Sequence, residues 1–389
     1  MSVMAKTIMV LRLLWLGAFA PVALADWENP RATPVPHEEE LKGIWAFDLW
    51  STLREDFTAK PLPEIAHILC ADHPLVKGLA PRFHWRTLEM EKGEYNWASI
   101  DRVLEIAEEY NKPIVLRVIG GPARRYNPDW LWERVPTFAE YISAWQEPCR
   151  IPRLGDPVFQ KEWNGFLRKL AERYGTHPRI QRICISCGIG QEMHYIPSPE
   201  TLPPDQMNIV CSDKERCQKD LLRSWHETML VYKEGFPGKC AVLALSEPIR
   251  GMDGVSGIDL AEKIVDDGIR IFGRKLCLQQ DGLNKKNLTA QETRDKKDKK
   301  SWHSIMLAHS KTVVLGFQTM LPSDFDSVFP VGAGTPPERF YIEGAEEMKR
   351  TLEIGLSYPI EYMEIWTSTL LDPQNRSMLD SIYRDLESR

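Results

Sequence analysis

Short apolar runs alternate with longer amphipathic stretches along most of the chain. Short apolar runs are typical of strands buried on both faces, whereas apolar positions three and four residues apart predict helices. The pattern predicts strands at Gly43–Leu49, Gly78–Trp85, Pro113–Gly120, Ile180–Gly188, Cys240–Ser246, Lys275–Gln280, Thr312–Gln318 and Ile360–Trp366. It predicts helices at Leu62–Leu69, Ile100–Tyr110, Phe159–Tyr174, Lys214–Glu234, Ile258–Phe272, Ser301–His309, Tyr341–Leu356 and Asn375–Leu386.

The order of these elements predicts a barrel. Eight strands, each followed by a helix, are typical of the (β/α)8 or TIM barrel, an α/β fold. An open doubly wound sheet is the alternative, but it would carry a Gly-rich turn after its first strand, where this chain has no GxGxxG. We expect one barrel domain over residues 26–389, with long loops at 121–157, 189–212 and 319–340 on its C-terminal face. Active sites of such barrels are built at that face.

The first residues of the chain have the features of an export signal. Lys6 and Arg12 form a basic start, and an apolar run extends from Leu13 to about Leu24. Ala23 and Ala25 are the small residues that a cleavage site requires. We expect cleavage before Asp26, giving a secreted or periplasmic protein. The apolar run is short for a membrane span, and no later segment approaches the roughly 20 apolar residues that a span requires.

Charge and aromatic content narrow the expected partners. The chain has 49 Lys and Arg against 55 Asp and Glu, and the resulting formal charge of −6 excludes a strongly basic polyanion-binding protein. Its 13 Trp residues supply flat apolar faces that stack on sugar rings or bases, besides filling a core. Because no basic surplus is available to hold phosphates, we expect a carbohydrate substrate and no nucleic acid. The sequence indicates no cofactor and no metal, and it leaves the oligomeric state open.

Eight cysteines in an exported protein suggest disulfides. Cys211 and Cys217 share one short polar stretch, so we expect them to pair. Cys184 and Cys187 form a CxxC within a predicted strand, where residues three apart point to opposite faces. That geometry argues against a shared metal.

Hydrolysis of a glycosidic bond requires an acid that protonates the leaving oxygen and a second carboxylate that attacks the sugar or activates water. In a barrel, both should lie at the C-terminal ends of strands. Glu192 is the first candidate, because it follows the fourth predicted strand directly after Gln191 and two glycines. A solvent-exposed loop glutamate is the alternative interpretation.

The segment Gly78–Trp97 resembles a known family. With Arg82, Trp85 and Glu89 in sequence, it is similar to the second strand and following loop of clan A glycoside hydrolases, above all the family 42 β-galactosidases and their uncharacterised relatives. Pro128–Leu131 resembles the Pro-x-Trp-Leu of the same group. The likeness extends to the whole barrel in layout, but its specific motifs lie in strands two to four.

The resemblance also implies roles for two residues. Gln191 and Glu192 stand where the clan carries Asn-Glu, and the Glu there is the general acid/base. The clan's nucleophile is a Glu at the end of strand seven, where this chain has Gln318. An amide cannot attack a sugar as an oxyanion, so another carboxylate must serve or the barrel binds sugar without the usual retaining chemistry.

Two other carboxylates are candidates for the second catalytic group. Asp281 follows strand six, and Glu364 lies near the end of strand eight. The alternation of strand eight places Glu364 on the inward face, opposite apolar Met363 and Ile365. A buried salt bridge to Arg82 or Arg117 is the structural alternative for Glu364. Since strands four and eight lie on opposite sides of a barrel, we expect Asp281 to be closer to Glu192.

Several polar and aromatic residues at the predicted strand ends are candidates for holding a sugar. Arginine binds carboxylates and hydroxyls through a fixed fork of donors, and Trp rings form stacking platforms. The candidate substrate-binding residues are Arg82, His84, Trp85, Arg117, Trp130, Gln191, Gln318 and Trp366.

The leading hypothesis from the sequence is an exported glycoside hydrolase that acts on a glycan or oligosaccharide. The alternative is a non-catalytic carbohydrate-binding barrel, and a transglycosylase or lyase on the same fold is a third hypothesis. The sugar, the linkage and exo or endo action stay open.

Overall fold

The computed structural model describes residues 41–47, 69–70, 74–143, 147–195, 202–250, 252, 254–283, 300–322, 341–342 and 344–388. The predicted export signal at residues 1–25 and most of the predicted helix at residues 62–69 lie outside this part of the chain. The central residues of all eight predicted strands lie within it, so the predicted fold can be checked strand by strand.

Eight parallel strand positions close into a barrel. The strands are β1 (Gly43–Phe47), β2 (Val76–Ala80), β3 (Arg82–His84), β4 (Ile114–Ile119), β5 (Phe138–Ile142), β6 (Pro148–Pro152), β7 (Ile180–Cys184), β8 (Cys240–Leu245), β9 (Leu276–Leu283), β10 (Val314–Thr319), β11 (Leu321–Pro322), β12 (Tyr341–Ile342) and β13 (Tyr362–Trp366). Neighbours follow chain order around the sheet, and β1 closes the circle by pairing with both β2 and β13. The predicted (β/α)8 barrel is confirmed.

Helices follow the barrel strands in the predicted order. They are α1 (Trp85–Leu88), α2 (Ala98–Glu109), α3 (Asp129–Arg134), α4 (Pro157–Tyr174), α5 (Pro204–Val210), α6 (Lys214–Gly235), α7 (Gly257–Phe272), α8 (Trp302–His309), α9 (Gly344–Leu356), α10 (Thr367–Leu371) and α11 (Arg376–Glu387). Among the described residues, none of these helices is both long and apolar enough to cross a membrane.

The second predicted strand is divided in two. Residues 76–80 and 82–84 are extended, and Pro81 separates β2 from β3. Proline has no N–H to donate to the sheet, so it interrupts the hydrogen-bond ladder at this point. The predicted strand at Gly78–Trp85 is therefore two short strands, and the first of them begins two residues earlier, at Val76.

The barrel strands bury both faces, as parallel strands with outer helices do. The outer face joins the helices in one apolar cluster, which includes Met363 and Ile365 of β13. The inner face forms a second cluster, which includes Trp45, Tyr362 and Trp366. The alternation predicted for strand eight is therefore confirmed, and the inward position of Glu364 with it.

The long third loop has secondary structure that the sequence pattern did not predict. β5 and β6 pair as an antiparallel hairpin, with Tyr141 beside Cys149. The side chain of Gln206 on α5 accepts a hydrogen bond from the backbone N–H of Glu140 in this hairpin. The third and fourth loops thus support each other beside the barrel.

The side chain of Asp101, in the first turn of α2, does not cap the helix. Trp97 is the N-cap residue, and it makes no side-chain capping bond. Asp101 instead accepts hydrogen bonds from Tyr174 at 2.6 Å and Arg173 at 2.7 Å. Its side chain therefore links α2 to α4. Whether Asp101 makes such a contact depends on which helix packs beside it in the tertiary structure.

Cys211 and Cys217 form the expected disulfide. Replacing both with Ser should lower the free energy of unfolding by about 2 kcal/mol, because a short loop removes little entropy from the unfolded chain. Urea unfolding of the double variant measures this loss. A reductant should lower the stability of the wild type by a similar amount and leave the variant unchanged; an equal effect on both proteins would contradict the prediction.

The CxxC cysteines face different surroundings, but only Cys184 lies in a strand, because β7 ends there and Cys187 belongs to the loop that follows. Cys184 lies near the backbone oxygen of Gln191, whereas Cys187 lies near that of Ser224 on α6. Their sulfurs do not converge on a shared point.

Candidate active site

Three neighbouring strands place polar side chains at one level of the barrel. In the sheet register, Gln318 of β10 lies beside Asp281 of β9 on one side and Glu364 of β13 on the other. Residues in register on parallel strands point to the same side, and here that side is the barrel interior. The three candidates near the ends of strands six, seven and eight therefore belong to one cluster.

Glu192 reaches the C-terminal face from the loop that follows β7. Its backbone pairs with Ala244 near the end of β8, and the loop before it passes through Gly188 and Gly190. Both glycines have positive φ, which favours residues without a side chain. The loop thus turns back to the strand ends and presents the carboxyl group there.

The surroundings of Glu192 favour its protonated form. Its side chain is only 23% exposed, and Oε2 lies 3.5 Å from Nδ1 of His194. Burial raises the pKa of Glu192 to about 8, and the negative charge of Asp281 adds to the increase, while Arg250 opposes it. A carboxyl group that keeps its proton at neutral pH can act as a general acid.

His194 is held neutral beside this carboxyl group. Burial lowers the pKa of His194 to about 3, and the positive charge of Arg250 adds to the decrease. Its Nδ1 lies 2.7 Å from the hydroxyl of Ser246 at the end of β8. A neutral imidazole supplies no charge that would favour ionisation of Glu192.

Asp281 has a different set of contacts. One carboxylate oxygen accepts a hydrogen bond from Gln279 at 2.6 Å and the other accepts one from Gln191 at 2.9 Å. Burial raises the pKa of Asp281 to about 6, with Arg117 and both amides opposing the increase and Glu364 adding to it. Asp281 is therefore ionised near neutral pH, where Glu192 is still protonated.

Glu364 forms a buried ion pair. Nη2 of Arg117 donates to its two oxygens at 3.0 and 2.8 Å, and neither side chain is exposed. Of the two roles that the sequence left open for Glu364, this arrangement fits the salt-bridge role, with Arg117 as the partner.

The amide of Gln318 occupies the strand-seven position where the resemblance implies a nucleophilic Glu. It is 6% exposed, and its oxygen lies 3.5 Å from Nε2 of Gln191. Gln191 thereby bridges Asp281 and Gln318. The side chain of Gln318 can hydrogen-bond a ligand, but it has no nucleophilic oxygen.

An aromatic and cationic group lies on the other side of the barrel interior. The guanidinium of Arg82 lies 5.2 Å from the ring centre of Phe47 and 5.4 Å from that of Trp366. Trp366 packs edge-on against Phe47 and donates its N–H to the backbone oxygen of Thr319. His84, at the end of β3, is half-buried and packs against Tyr126.

Two of the predicted stacking residues lie outside the barrel interior. Trp85 is fully buried and Trp130 is 8% exposed, and both belong to the cluster between the barrel and its helices. They pack against each other, and Trp130 also carries Lys92 over its ring. Their faces are occupied by protein groups, so the structure gives them a packing role and corrects the expectation that they hold a sugar.

The family-like motif around them also serves the scaffold. The buried carboxylate of Glu89 accepts hydrogen bonds from the indole N–H of Trp85 and the backbone N–H of Gly93. It holds the loop after β3 in shape without reaching the barrel interior.

The sequence analysis did not identify Gln279, Tyr362 or Phe47. All three are inward-facing; Gln279 donates to Asp281 and Glu364, and Tyr362 donates to Gln279. The alternation of β9 places Gln279 on the face of Asp281, and that of β13 places Tyr362 on the face of Glu364. Phe47 shares its face of β1 with Trp45.

Part of the chain matches a known family of glycoside hydrolases. Residues 79–200 match the family model Glyco_hydro_42, described as Beta-galactosidase. The match covers the second to fourth barrel strands and their loops, including Glu192, and confirms the resemblance seen in the sequence. Asp281, Gln318 and Glu364 lie beyond it. No curated protein sequence matches the chain.

Solved structures match the fold at low identity. The catalytic domain of the β-amylase from Paenibacillus polymyxa has a TM-score of 0.57 at 11% identity, covering 89% of this chain and 98% of that one. The cold-adapted β-galactosidase from Rahnella sp. R3 has a TM-score of 0.53 at 12% identity, covering 89% of this chain and 56% of that one. The chain thus spans about half the length of that β-galactosidase. Together, the barrel and the family match support a glycosidase.

Proposed function

We propose that the chain is an exported glycoside hydrolase in which Glu192 is the general acid and Asp281 is its ionised partner. The observation that carries the proposal is the placement of both carboxyl groups at the strand ends of the barrel, where burial raises the pKa of Glu192 to about 8 and that of Asp281 only to about 6. Glycoside hydrolysis requires this combination, because the acid protonates the leaving oxygen while the second group acts as a carboxylate.

In this mechanism Asp281 supplies the second carboxylate, a role that Gln318 on strand seven cannot fill. Gln318 lacks a nucleophilic oxygen, and Glu364 is engaged by Arg117. Asp281 lies beside Gln318 in the register of β9 and β10, and its charge acts on Glu192. Attack on the sugar gives retention and activation of water gives inversion, so proton NMR of the first product distinguishes the two routes.

The remaining inward residues suit a sugar. Arg82, His84 and Gln318 offer donors for hydroxyl groups, and Arg82 lies over the buried aromatic rings of Phe47 and Trp366. This polar and aromatic combination is typical of carbohydrate sites. We assign the substrate as a glycan or oligosaccharide, with no cofactor in the reaction.

A panel of nitrophenyl glycosides and plant and bacterial polysaccharides tests the proposal. We expect at least one to be cleaved by the wild type and left intact by Glu192→Gln. Gln318 favours a second function, a non-catalytic carbohydrate-binding barrel, because it replaces the nucleophile that the resemblance implies. Calorimetric binding of sugars without cleavage of any substrate would support that second function.

The two pKa values predict a bell-shaped pH profile. We expect kcat/KM on a cleaved glycoside to rise as Asp281 ionises near pH 6 and to fall as Glu192 loses its proton near pH 8. Steady-state kinetics between pH 4 and 10 measure both limbs. Any residual activity of Asp281→Asn should lack the acid limb; a wild-type profile that is flat across this range would contradict both assignments.

Export is a separate part of the proposal, and it rests on the basic start, the apolar run and the small residues before Asp26. N-terminal sequencing of the protein recovered outside the cytoplasm should begin at or near Asp26. Recovery of a chain that still begins at Met1 would contradict the predicted cleavage.

A further inference from the structure

A chain of hydrogen bonds inside the barrel leads to Asp281. The hydroxyl of Tyr362 donates to Oε1 of Gln279 at 2.8 Å. Nε2 of Gln279 then donates to Oδ1 of Asp281 at 2.6 Å and to Oε2 of Glu364 at 3.1 Å. Tyr362 and Gln279 are fully buried, so bulk water cannot replace these bonds.

The two carboxylates and Tyr362 together fix which way the carboxamide of Gln279 points. A turned carboxamide would place its oxygen against the oxygens of Asp281 and Glu364, and the hydroxyl of Tyr362 anchors the carboxamide oxygen in the orientation that avoids this. In the observed orientation, the oxygen is occupied by the hydroxyl and both N–H groups face carboxylates. The tyrosine ring is itself held in place. Arg182 lies 4.0 Å from its centre, and the ring packs directly against Gly316, where it fills the space that a side chain would need.

Asp281 therefore faces hydrogen-bond donors on both oxygens, from Gln279 and from Gln191. An ionised carboxylate only accepts hydrogen bonds, so it matches two N–H donors, whereas a protonated one must place its own O–H elsewhere. We propose that Gln279 and Tyr362 are positioning residues that keep Asp281 ionised and oriented as the partner of Glu192. This inference rests on the proposed function for the role of Asp281 in catalysis.

The charged and titratable groups around Asp281 come from several elements. Arg117 on β4 favours its ionised form, while Glu364 on β13 disfavours it. Glu192 and Cys184 also interact with its charge, from the loop after β7 and from β7 itself. Two other carboxyl groups lie nearby. Asp281 has an amide donor on each of its oxygens, whereas Glu364 shares the amide of Gln279 and is otherwise held by Arg117.

The test is the pKa of Asp281 in Tyr362→Phe, which keeps the ring and removes only the hydroxyl. Carbon-13 NMR of the aspartate carboxyl groups, assigned with Asp281→Asn, measures it without any substrate. We expect the pKa of Asp281 to move upward by about 0.5 to 1 pH unit. Without the hydroxyl of Tyr362, the carboxamide of Gln279 is held less firmly and donates a weaker hydrogen bond to Asp281. Gln279→Met removes that donor entirely and should move the pKa further. Tyr232→Phe, at a buried tyrosine on α6, is the matched control and should leave it unchanged.

On any glycoside that the protein cleaves, the acid limb of the pH profile should move by the same amount in Tyr362→Phe, with kcat reduced more than KM is changed. An unchanged pKa of Asp281 in Tyr362→Phe overturns the inference, even where Glu192 and Asp281 prove essential for turnover. A moved pKa in a protein that cleaves no glycoside supports the positioning role and refutes the proposed function instead. Because Tyr362→Phe leaves the packing volume intact, it decides the matter even where Gln279→Met does not fold.

Discussion

Replacing Glu192 with Gln should reduce turnover of a cleaved glycoside by about 10²- to 10⁴-fold, the usual contribution of a general acid. Gln keeps the size and hydrogen bonding of the side chain but cannot transfer a proton to the leaving oxygen. Glycosides with an activated leaving group, such as nitrophenol, need less protonation and should lose less activity. The measurement is kcat on an activated and an unactivated substrate of the same sugar.

Two companion variants make the assignment specific. Asp281→Asn should be nearly as damaging as Glu192→Gln on both substrates, because the second carboxylate is needed whatever the leaving group. Glu133→Gln, on the exposed surface of α3, should leave kcat unchanged. Full activity of Glu192→Gln on a confirmed substrate would show that the acid lies elsewhere.

The same substitution should not weaken the fold. The pKa of Glu192 is raised above its ordinary value of 4.5, so the folded protein holds this proton more tightly than the unfolded chain does. Its contribution to stability is fully present below the unfolded pKa and is lost as the pH rises through about 8. Above that pH, Glu192→Gln should raise the free energy of unfolding by about 1–3 kcal/mol. Urea unfolding at pH 8.5 and at pH 4 measures the difference, which should be small at the lower pH.

The second large effect is expected for Arg117→Met, which should lower the free energy of unfolding by about 3–5 kcal/mol. The substitution leaves Glu364 buried in the barrel with one amide donor and no cation. An unpaired charge in a low-dielectric interior is more costly than the lost attraction alone. Urea unfolding of the variant at pH 7 measures the loss.

A double-mutant cycle identifies the partner. Adding Glu364→Gln to Arg117→Met should recover part of the lost stability, because the remaining buried charge is removed. Lys169→Met is the matched control, since Lys169 pairs with Glu172 on the exposed surface of α4 and should contribute about 1 kcal/mol or less. A loss of similar size for both single variants would contradict a special role for the buried pair.

The choice between Glu364 and Asp281 as the proposed second catalytic group depended on the structure. Sequence alternation placed Glu364 inward and offered Arg82 or Arg117 as its partner. Only the closed barrel brings Arg117 to Glu364, across 247 positions of the chain. Arg82 lies instead against Phe47 and Trp366. Glu364 and Asp281 therefore differ in their burial and in the charges around them. Neither property can be read from the sequence of a single strand.

The aromatic residues show the same division. Trp85 follows β3 directly, and a residue there points into the barrel or outward according to how the chain turns after Pro81. The short helix α1 turns it outward, under Phe159, Trp163 and Phe166 of α4. Trp366 ends β13 without such a turn and stays in the inner cluster. Sequence spacing alone gave both residues the same interpretation.

The sequence by itself determined the order of strands and helices, the inward face of β13, the Cys211–Cys217 disulfide and the place of Glu192 after strand four. These follow from local periodicity, short loop length and a motif, all of which are contained in a few consecutive residues. Only the tertiary structure decided that Arg117 pairs with Glu364 and that Trp85 and Trp130 pack outside the barrel. It also decided that Gln279 and Gln191 donate hydrogen bonds to Asp281. Those outcomes depend on which side chains meet when the eight strands close, because burial, charge and hydrogen bonding act between residues that are distant in the chain.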